Sequence, residues 1–454
     1  MPIQSKNPAT DEVLQTFDEL SDEQIEEKLA TADSEFKIWR QTSFAERAEK
    51  MKKLGQILRE RAADYGRLAS LEMGKPITQA IAEVNKCAGL CDFYAEQAEV
   101  FLAPEIVETE NSESFVRFDP IGPVLAVMPW NYPFWQVFRF AVPAAMAGNV
   151  GLLKHASNVP QCALAIEEAF RDAGFPTGVF QALLIGAKKV EPILRDRRVQ
   201  AATLTGSEPA GASVASICGQ EIKKTVMELG GSDPFIVRHD ADLDIVLPNA
   251  VTGRLQNAGQ SCICAKRFIV HSSLYEDFIA RLKVAFEGTK VGDQLNPATE
   301  MGPIVDAKSR AGLLELVTDT VAAGARLVTG GEVIGETGSF MQPTIVADVA
   351  PGMRLWGEET FGPVATVIPF ETDDEAVEIA NATDFGLGGS IHTADTETAK
   401  AMAARIDSGA IFINRFTASD QRMPFGGVKR SGYGRELSRD GIREFVNVKT
   451  VVIK

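Results

Sequence analysis

Two apolar runs, Val124-Leu125-Ala126-Val127-Met128 and Val150-Gly151-Leu152-Leu153-Lys154, decide the fold of this 454-residue sequence. Short apolar runs of this kind are typical of strands that are buried on both faces of a parallel sheet. Similar runs follow at Val179–Ile185 and Ala201–Thr205, and the helix-like stretch Gln161–Ala173 lies between them. The alternation predicts an α/β fold with a doubly wound, Rossmann-like parallel sheet.

A second alternating block begins near Pro234 and continues through the apolar runs Phe268–His271, Ala365–Phe370 and Ala410–Asn414. The pair Gly230-Gly231 separates it from the first block. A chain of 454 residues is too long for one ordinary hydrophobic core, so we expect at least two domains.

The first hundred residues are predicted to be helical. Two capping boxes, Ser21 with Gln24 and Ser43 with Glu46, open the first two helices. A third helix is expected to follow the turn at residues 74–76 and to run to about residue 102.

Two segments are candidates for an oligomerisation arm. Glu105–Thr109 and Ser114–Phe118 have the pattern of a hairpin. The terminal run Phe445–Lys454 has the pattern of a strand in which apolar residues dominate. An apolar terminal strand needs cover, which a second subunit can provide. We therefore expect a homodimer or homotetramer, while a surface flap remains the alternative for the hairpin.

The composition excludes several classes of function. A net charge of −16 gives no basic footprint for nucleic acid. The sequence contains no long uncharged apolar run and no signal-peptide core, so we expect a cytoplasmic protein without a membrane span. The six cysteines form no evenly spaced framework, which favours free thiols. The four histidines show no metal-ligand spacing, so no metal is expected.

The octet Asn257-Ala258-Gly259-Gln260-Ser261-Cys262-Ile263-Cys264 contains the strongest candidate nucleophile. Small and flexible residues lead into Cys262, which suits a thiol presented to a cleft, and a thiolate is a strong nucleophile. Taken alone, the octet leaves open that Cys262 is a small buried hydrophobe. No local signature supports a Cys–His hydrolase.

Two other segments can supply a base and an oxyanion donor. Glu228 ends the run Thr225–Met227 and precedes two glycines, so its carboxylate can lie partly desolvated at a strand end with a raised pKa. Asn131, in the stiff loop Pro129–Pro133, offers an amide N–H to an oxyanion. From these residues alone, a solvated glutamate and an ordinary turn asparagine stay open.

The segment Leu204–Gly211 predicts a phosphate-binding helix start. A strand is followed by a turn at Gly206 and Ser207, and Pro209 falls in the first helical turn. Free N–H groups and the helix dipole attract phosphate there. The segment lacks a Gly-x-Gly-x-x-Gly fingerprint, so it is a weak cofactor signal by itself.

Together these segments resemble the aldehyde dehydrogenase superfamily from about residue 5 to the C-terminus. Three more motifs match in the family's order, at Glu72–Pro76, Glu358–Val364 and Pro424–Gly432. The resemblance implies a doubly wound cofactor domain, an α/β catalytic domain and a small β oligomerisation arm. The expected ranges are 1–102 with 121–229 for the cofactor domain, 230–435 for the catalytic domain, and 103–120 with 436–454 for the arm.

The resemblance also implies a covalent mechanism that oxidises an aldehyde to an acid. Cys262 would attack the aldehyde carbon, and the Asn131 amide with the Cys262 backbone N–H would hold the oxyanion. Hydride transfer to a nicotinamide would leave a thioester on the cysteine. Glu228 would activate the water that hydrolyses it.

The resemblance implies a site for NAD or NADP. Lys154 matches the lysine near the adenosine ribose, and Glu359 matches the carboxylate on the nicotinamide ribose. Many NAD-preferring relatives have a glutamate where this chain has Ser157, and a carboxylate there would repel a 2′-phosphate. We therefore expect NADP to be accepted, alongside NAD or in preference to it. The other expected cofactor contacts are Trp130, Gly206, Ser207, Leu229 and Phe361.

Arg139 suggests which aldehyde is oxidised. Arginine in an otherwise apolar helix is either a structural ion pair or a clamp for a carboxylate. The succinate-semialdehyde dehydrogenases look the same here, so the resemblance implies an aldehyde with an ω-carboxylate, succinate semialdehyde first. Gln256 stands where some relatives have a second arginine, which weakens this inference. Ser419 is expected to add a hydrogen bond, and Cys264 to form a redox disulfide with Cys262.

Three alternatives remain open at this point. The chain could be a broad-specificity or short-chain aldehyde dehydrogenase, a non-catalytic structural relative, or a thiol acyltransferase or esterase that works without dinucleotide. The intact set of Cys262, Glu228 and Asn131 argues against a non-catalytic protein, and Glu228 favours water over coenzyme A as the acyl acceptor.

Overall fold

The structure, a computed structural model, describes residues 2–454. Its strands are Ile3–Lys6 (β1), Val13–Phe17 (β2), Glu105–Ile106 (β3), Glu113–Pro120 (β4), Pro123–Met128 (β5), Val150–His155 (β6), Phe180–Ala182 (β7), Ala201–Thr205 (β8), Lys224–Glu228 (β9), Asp233–Val237 (β10), Ala265–His271 (β11), Arg326–Thr329 (β12), Thr344–Ala347 (β13), Val364–Phe370 (β14), Phe385–Gly386 (β15), Ser390–His392 (β16), Phe412–Ile413 (β17), Val428–Lys429 (β18), Gly432–Tyr433 (β19) and Val446–Ile453 (β20).

The α-helices connect and cover these strands, and short 3₁₀ turns lie at Ala187–Lys189, Gln256–Gly259 and Ser272–Leu274. The helices are Asp22–Trp39 (α1), Phe44–Glu60 (α2), Ala62–Met73 (α3), Ile77–Phe101 (α4), Trp135–Ala147 (α5), Pro160–Asp172 (α6), Val190–Arg195 (α7), Glu208–Gln220 (α8), Leu243–Leu255 (α9), Tyr275–Glu287 (α10), Ala307–Ala322 (α11), Arg354–Gly357 (α12), Asp373–Asn381 (α13), Thr396–Ala403 (α14) and Ser438–Arg443 (α15). Among the described residues, none of these helices is both long and apolar enough to cross a bilayer.

The first large sheet has six strands in the order β19-β9-β8-β5-β6-β7. The five strands from β5 to β9 are parallel, and only β19 runs antiparallel. Every residue of β6 and β8 is buried, which confirms the prediction drawn from their continuous apolar runs. The chain leaves β5 toward β6 on one side and returns to β8 on the other. Ligands of such sheets bind at the carboxyl ends of strands beside this reversal.

The second large sheet has seven strands in the order β12-β13-β14-β11-β10-β16-β17. Only the β12–β13 pair is antiparallel. Alternate residues of one strand belong to different cores, since Phe235 and Val237 pack in one cluster and Ile236 in another. This is the period-two pattern of a sheet covered on both faces, and it confirms a second α/β layer after the Gly230-Gly231 pair.

A separate three-stranded sheet joins the chain end to the segment after α4. β20 pairs antiparallel with β4 along its whole length, from Val446 opposite Pro120 to Ile453 opposite Glu113, and β3 pairs with the other edge of β4. The predicted hairpin and terminal strand therefore belong to one sheet. The side chain of Val448 is 60% exposed, so this sheet carries uncovered apolar surface.

The N-terminal region differs from the all-helical prediction. The two predicted capping boxes open α1 and α2, but β1 and β2 precede them as an antiparallel pair. Buried and exposed residues alternate in β1, but the sequence does not show this as apolar and polar residues, because one buried position is the polar Ser5. The Ser5 hydroxyl accepts a hydrogen bond from Gln161. Helix α3 was missed because a single residue, Arg61, separates it from α2 without a side-chain cap.

Candidate active site

Two cavities meet at Cys262, which lines both of them. Cavity A, of about 300 Å³, lies at the carboxyl ends of β5, β8 and β9, and cavity B, of about 350 Å³, lies between α4, α5 and the chain around residue 419. Cavity A is lined by Pro129, Trp130, Asn131, Gln136, Thr205, Gly206, Ser207, Leu229, Gly230, Cys262, Glu359 and Phe361. Cavity B is lined by Gln79, Ala82, Glu83, Lys86, Tyr132, Trp135, Gln136, Arg139, Thr252, Gln256, Ser261, Cys262, Ile263, Thr417, Ala418, Ser419 and Phe425.

The loop before Cys262 has an unusual backbone. Asn257, Ala258 and Gly259 have consecutive φ angles of 52°, 54° and 72°, in the left-handed region that non-glycine residues rarely adopt. The buried guanidinium of Arg254 holds the loop by donating to Gly259 O at 2.8 Å and to the carbonyls of Thr360 and Gly362. Such strain persists only where the surroundings determine the conformation, and it concentrates at active sites.

Asn131 is tied to this loop from the opposite side. Its side-chain Nδ2 donates to Gln260 O at 3.0 Å, and its own carbonyl accepts a hydrogen bond of 2.7 Å from Asn257 Nδ2. Because an amide nitrogen carries two hydrogens, one remains for a ligand. The candidate oxyanion donor and the candidate nucleophile are thus held in one network.

The Cys262 thiol is half-buried, and it is protonated at neutral pH. Its desolvated surroundings raise its pKa to about 12, although the nearby cations Arg139 and Lys266 act in the opposite direction. A thiol with this pKa must lose its proton to a neighbouring group before it becomes a strong nucleophile.

The Glu228 carboxylate is buried at the end of β9 and has no hydrogen-bond partner among the described residues. Desolvation raises its pKa well above the ordinary value, and the like charge of Glu436 adds to the effect. The carboxyl group lies beside Gly426 and lines neither cavity. In this arrangement it must turn toward Cys262 to act there.

The Pro424–Gly432 motif supports the segment that follows Glu228. Gly432 pairs with Glu228 across the β19–β9 contact, and Ser431 O accepts a hydrogen bond of 3.0 Å from the Leu229 backbone N–H. The Ser431 hydroxyl donates to Gly230 O at 2.6 Å. This motif positions the backbone around the candidate base, which explains its place among the matching motifs.

The Glu72–Pro76 motif supports the Asn131 loop in a similar way. Lys75 forms a fully buried ion pair with Glu83 and lies 3.6 Å from the centroid of the Tyr132 ring. Glu83 also accepts 2.9 Å hydrogen bonds from the backbone N–H groups of Phe134 and Trp135, at the start of α5. The loop that carries Asn131 is therefore fixed by a buried charge network.

His155 anchors the other end of the same loop. Its Nδ1 accepts from the Ala156 backbone N–H at 2.9 Å, and its Nε2 lies 2.9 Å from Pro133 O. Burial lowers its pKa to about 4, so the ring is neutral and carries one hydrogen, for which Pro133 O beside Nε2 and Met128 O, 3.2 Å from Nδ1, are the acceptors. No pattern in the sequence predicts this role for His155, whose spacing to the other histidines indicates no metal site.

Glu359 closes the far side of cavity A. Its Oε1 accepts a 2.6 Å ion-paired hydrogen bond from Lys266, which also donates to Cys262 O at 2.9 Å. The Phe361 ring meets Trp130 edge-on, with centroids 5.8 Å apart. One wall of cavity A therefore contains the Glu359 carboxylate, the rings of Phe361 and Trp130, and the backbone of Cys262.

Cavity A fits a dinucleotide. The buried Thr205 Oγ1 and Gln136 Oε1 both line it and have no hydrogen-bond partner among the described residues, so a polar ligand would satisfy them. Ser207 precedes α8 without making a side-chain cap, and the first-turn N–H groups of that helix face the region where phosphate is favoured. A Cβ at Gly230 would push the Glu359 carboxylate out of its present position, so glycine leaves room for that carboxylate.

Lys154 and Ser157 lie at the carboxyl end of β6, outside the linings of cavities A and B. Lys154 is buried, which lowers its pKa, while Glu19 acts in the opposite direction. Ser157 is exposed just beyond the strand end. β6 pairs with β5, and the residues that follow β5 line cavity A, so the carboxyl end of β6 is next to that cavity in the sheet.

Arg139 lines cavity B but is already paired. Its Nε lies 2.8 Å from Glu436 Oε2, both side chains are almost fully buried, and the guanidinium packs 4.4 Å from the Phe425 ring centroid. The structural ion pair considered from the sequence is therefore present, on a residue that also faces the cavity.

Ser419 lines the same cavity and accepts two hydrogen bonds on its hydroxyl. Trp135 Nε1 donates to it at 3.1 Å and Lys86 Nζ at 2.8 Å. Gln256 also faces this cavity, as a neutral side chain.

Comparison with known proteins identifies the fold and its chemistry. The protein-family model described as "Aldehyde dehydrogenase family" matches residues 1–451.

The chain belongs to the aldehyde dehydrogenase family.

Its relatives include a "probable succinate-semialdehyde dehydrogenase [NADP(+)]" of Synechocystis, 53% identical, and a "succinate-semialdehyde dehydrogenase [NADP(+)] 1" of Mycobacterium tuberculosis, 51% identical, each matched over 100% of both chains. Among solved structures, the succinic semialdehyde dehydrogenase of Streptococcus pyogenes in complex with NADP+ has a TM-score of 0.98 and 39% identity over 99% of both chains. A structure titled for cofactor and substrate selection by Gox0499 has a TM-score of 0.99 and 39% identity over 100% of both chains.

Three cations around this aldehyde dehydrogenase site were not found from the sequence. Lys266 precedes the apolar run that starts at Phe268, so that run does not predict that Lys266 belongs to a buried strand, whereas β11 begins at Ala265. Arg254 lies at the end of α9, where an arginine is ordinary. Lys86 lies in α4, 333 residues from its partner Ser419. All three residues have their roles because of where the fold places them, which no local sequence pattern predicts.

Cys264 lines neither cavity. Its thiol is fully buried behind the loop, and both it and Cys262 are free. A disulfide between them stays a prediction. No group of three or more His, Cys, Asp or Glu residues with the geometry of a metal site occurs among residues 2–454.

Proposed function

We propose that this chain oxidises succinate semialdehyde to succinate with NADP. The observation that carries the proposal is that Cys262 lies where two cavities meet, one suited to a dinucleotide and one walled by cations. The printed names of the full-length relatives support the same substrate and cofactor.

The proposed reaction begins at the Cys262 thiol. Glu228, turned toward Cys262, takes the thiol proton and passes it to solvent, and Sγ forms a bond with the aldehyde carbon, which places a negative charge on the aldehyde oxygen. The free hydrogen of the Asn131 amide and the Cys262 backbone N–H hold that oxygen. The bound dinucleotide supplies the two-electron acceptor that converts the adduct into a thioester on Cys262.

Glu228 is proposed as the base that completes the cycle. Desolvation raises its pKa above the ordinary value, which makes its carboxylate form a stronger base toward water. The carboxyl group would turn from Gly426 toward Cys262, take a proton from water and let the hydroxide attack the thioester carbon. The carbon–sulfur bond then breaks, the acid leaves, and the Cys262 thiolate takes up the proton held by Glu228, which restores the thiol.

Ser157 supports NADP as the cofactor. The exposed serine at the end of β6 gives a 2′-phosphate room and a hydrogen-bond donor, and Lys154 brings positive charge to the same strand end. In the cofactor site, Thr205, Gly206 and Ser207 would hold the phosphates, and Glu359 the ribose next to the nicotinamide.

One observation favours a second candidate, an aldehyde dehydrogenase with broad specificity. The charge of Arg139 is compensated by Glu436, so this arginine is not free in the way that a dedicated carboxylate clamp would be. Short-chain aldehydes without a carboxylate would then be oxidised as readily.

A substrate panel run with each cofactor tests the proposal. We expect kcat/KM to be highest for succinate semialdehyde with NADP, and at least about tenfold lower for butanal, because a hydrogen-bonded charge pair with the carboxylate is lost. Equal values for the two aldehydes would favour the broad-specificity alternative. Omission of the cofactor must abolish product, since an esterase or acyltransferase would still work.

We also propose that the chain acts in the cytoplasm as a homodimer or homotetramer. The exposed valines of β20 and the open edge of that strand support assembly through the three-stranded sheet. Sedimentation of the full chain, compared with a Val448→Lys variant, would measure it.

A further inference from the structure

Lys86 is a cation of cavity B without an ion-pair partner. Its ammonium lines the cavity and lies 4.1 Å from the centroid of the Trp135 ring, and among residues 2–454 no carboxylate forms an ion pair with it. Two of its three hydrogens are donated to Ser419, to the carbonyl and to Oγ, each at 2.8 Å. A partly buried ammonium with one donor left and no counter-charge is the arrangement that an anionic ligand completes.

The anions near Lys86 are occupied elsewhere. Glu83, one turn earlier on α4, is paired with Lys75. Asp420 is paired with Arg422, with an N···O distance of 2.6 Å. The positive charge of Lys86 is therefore not compensated by the groups closest to it.

Arg139 differs from Lys86 in this respect. Its partner Glu436 is as deeply buried as the arginine itself, and the two lie 2.8 Å apart. Removing a carboxylate from a buried pair leaves an uncompensated charge, so Glu436 holds Arg139 in place. Arg139 Nη2 still has no hydrogen-bond partner among the described residues, so both cations can donate to a ligand in cavity B, but only Lys86 has no ion-pair partner.

Ser419 complements this charge. A hydroxyl has two acceptor positions and one hydrogen, and both acceptor positions are filled by Lys86 and Trp135. The hydroxyl hydrogen must then point to a third group, so Ser419 acts toward a ligand as a donor. An ammonium and a hydroxyl donor that touch each other can bind the two oxygens of one carboxylate.

We propose that Lys86, together with the Ser419 hydroxyl, binds the ω-carboxylate of the aldehyde and, alongside Arg139, sets the preference for a charged tail. The inference rests on the proposed function, because it names the recognition element for that substrate class.

The test compares Lys86→Met, which keeps the length of the side chain and removes its charge, with the parent enzyme. We expect kcat/KM for succinate semialdehyde to fall about 10- to 100-fold, mainly through KM, which is the usual effect of losing one hydrogen bond to a charged group. The value for butanal should change by less than about threefold, since no charged contact is involved. Lys53→Met, which removes an exposed charge from α2, is the matched control and should leave both values unchanged.

The outcomes separate the inference from the proposed function. If the parent enzyme shows no preference for succinate semialdehyde over butanal, the proposed function fails. If the parent shows the preference and Lys86→Met keeps it, or loses both activities equally, the assignment of Lys86 is overturned.

A second measurement serves if Lys86→Met does not fold. Lys86→Arg keeps the charge, and inhibition of butanal oxidation by succinate should then stay within about tenfold of the parent. In Lys86→Gln, the inhibition constant for succinate should rise by about 10- to 100-fold. Equal inhibition of the parent and Lys86→Gln would contradict the assignment.

A pH profile gives an independent check. Burial and the nearby Arg139 lower the pKa of Lys86 to about 8, while Cys87, Glu83 and Asp420 act weakly in the opposite direction. Lys86 loses its proton as the pH rises through this value, so the ratio of kcat/KM for succinate semialdehyde to that for butanal should fall above about pH 8. Effects on Cys262 act on both substrates and cancel in the ratio, and a ratio that stays constant to pH 10 would count against Lys86.

Discussion

Replacement of Asn131 by alanine should slow the chemical step without displacing the nucleophile loop. The side-chain Nδ2 now donates to Gln260 O at 3.0 Å, but the loop is also held through the Asn131 carbonyl, which accepts a 2.7 Å hydrogen bond from Asn257. The carbonyl contact survives truncation, and so does the Arg254 contact with Gly259 O at 2.8 Å. The variant therefore removes an oxyanion donor and little else.

The expected size of the effect follows from the role of that donor. One oxyanion hydrogen bond contributes about 3–4 kcal/mol to the transition state, so kcat for Asn131→Ala should fall by about two to three powers of ten with KM nearly unchanged. The loss of one buried hydrogen bond should lower the free energy of unfolding by only about 1 kcal/mol.

Reduction of the dinucleotide under saturating aldehyde is the assay, and Asn131→Asp is the control. Aspartate keeps the volume of the side chain but donates no hydrogen bond when ionised, so it should be at least as slow as alanine. Labelling of Cys262 by iodoacetamide at the rate of the parent enzyme in both variants would show that the thiol is still presented. A kcat for Asn131→Ala within fivefold of the parent would refute the reasoning.

Three further predictions concern charges around the site. Ser157→Glu should lower kcat/KM for NADP by at least about tenfold and leave NAD little changed, because a carboxylate would repel the 2′-phosphate; an equal loss with both cofactors would argue against this role. Lys266→Met should raise the KM of the cofactor, since Glu359 loses its 2.6 Å ion-pair partner and is no longer held in the wall of cavity A. Direct titration of NADP binding measures the change in affinity, and an unchanged affinity would contradict the prediction. Glu436→Gln removes a like charge that raises the pKa of Glu228, so that pKa falls and the carboxylate form persists to lower pH. The acidic limb of the kcat profile should then move to lower pH, and an unchanged limb or a shift upward would contradict the assignment.

Much of the fold was predictable because its strands are apolar in short, separated runs. The starts and ends of β5, β6 and β8 were predicted to within one residue, since strands buried on both faces need no alternation to be recognised. β1 was not predicted, because its buried Ser5 is satisfied by a hydrogen bond from a residue 156 positions away. The domain boundaries stay a prediction.

The candidate site was predictable only in part. Residues in contiguous motifs, such as Cys262 and Glu359, were found because the family's motifs contain them, and they line the same cavity. The partners of charged residues were not predictable, because the Arg139–Glu436 pair joins positions almost 300 residues apart along the chain and depends on the packing of α5 against the C-terminal segment.

The left-handed turn before Cys262 means that activity can be lost at a distance from any ligand. Arg254 lines neither cavity, yet its guanidinium connects the turn at Gly259 with the adjacent segment of the same chain at Gly362. Substitutions at position 254 should therefore inactivate the enzyme as fully as substitutions at Cys262. A small guanidinium compound should restore activity when only the turn has collapsed, but not when the Cys262 thiol is missing.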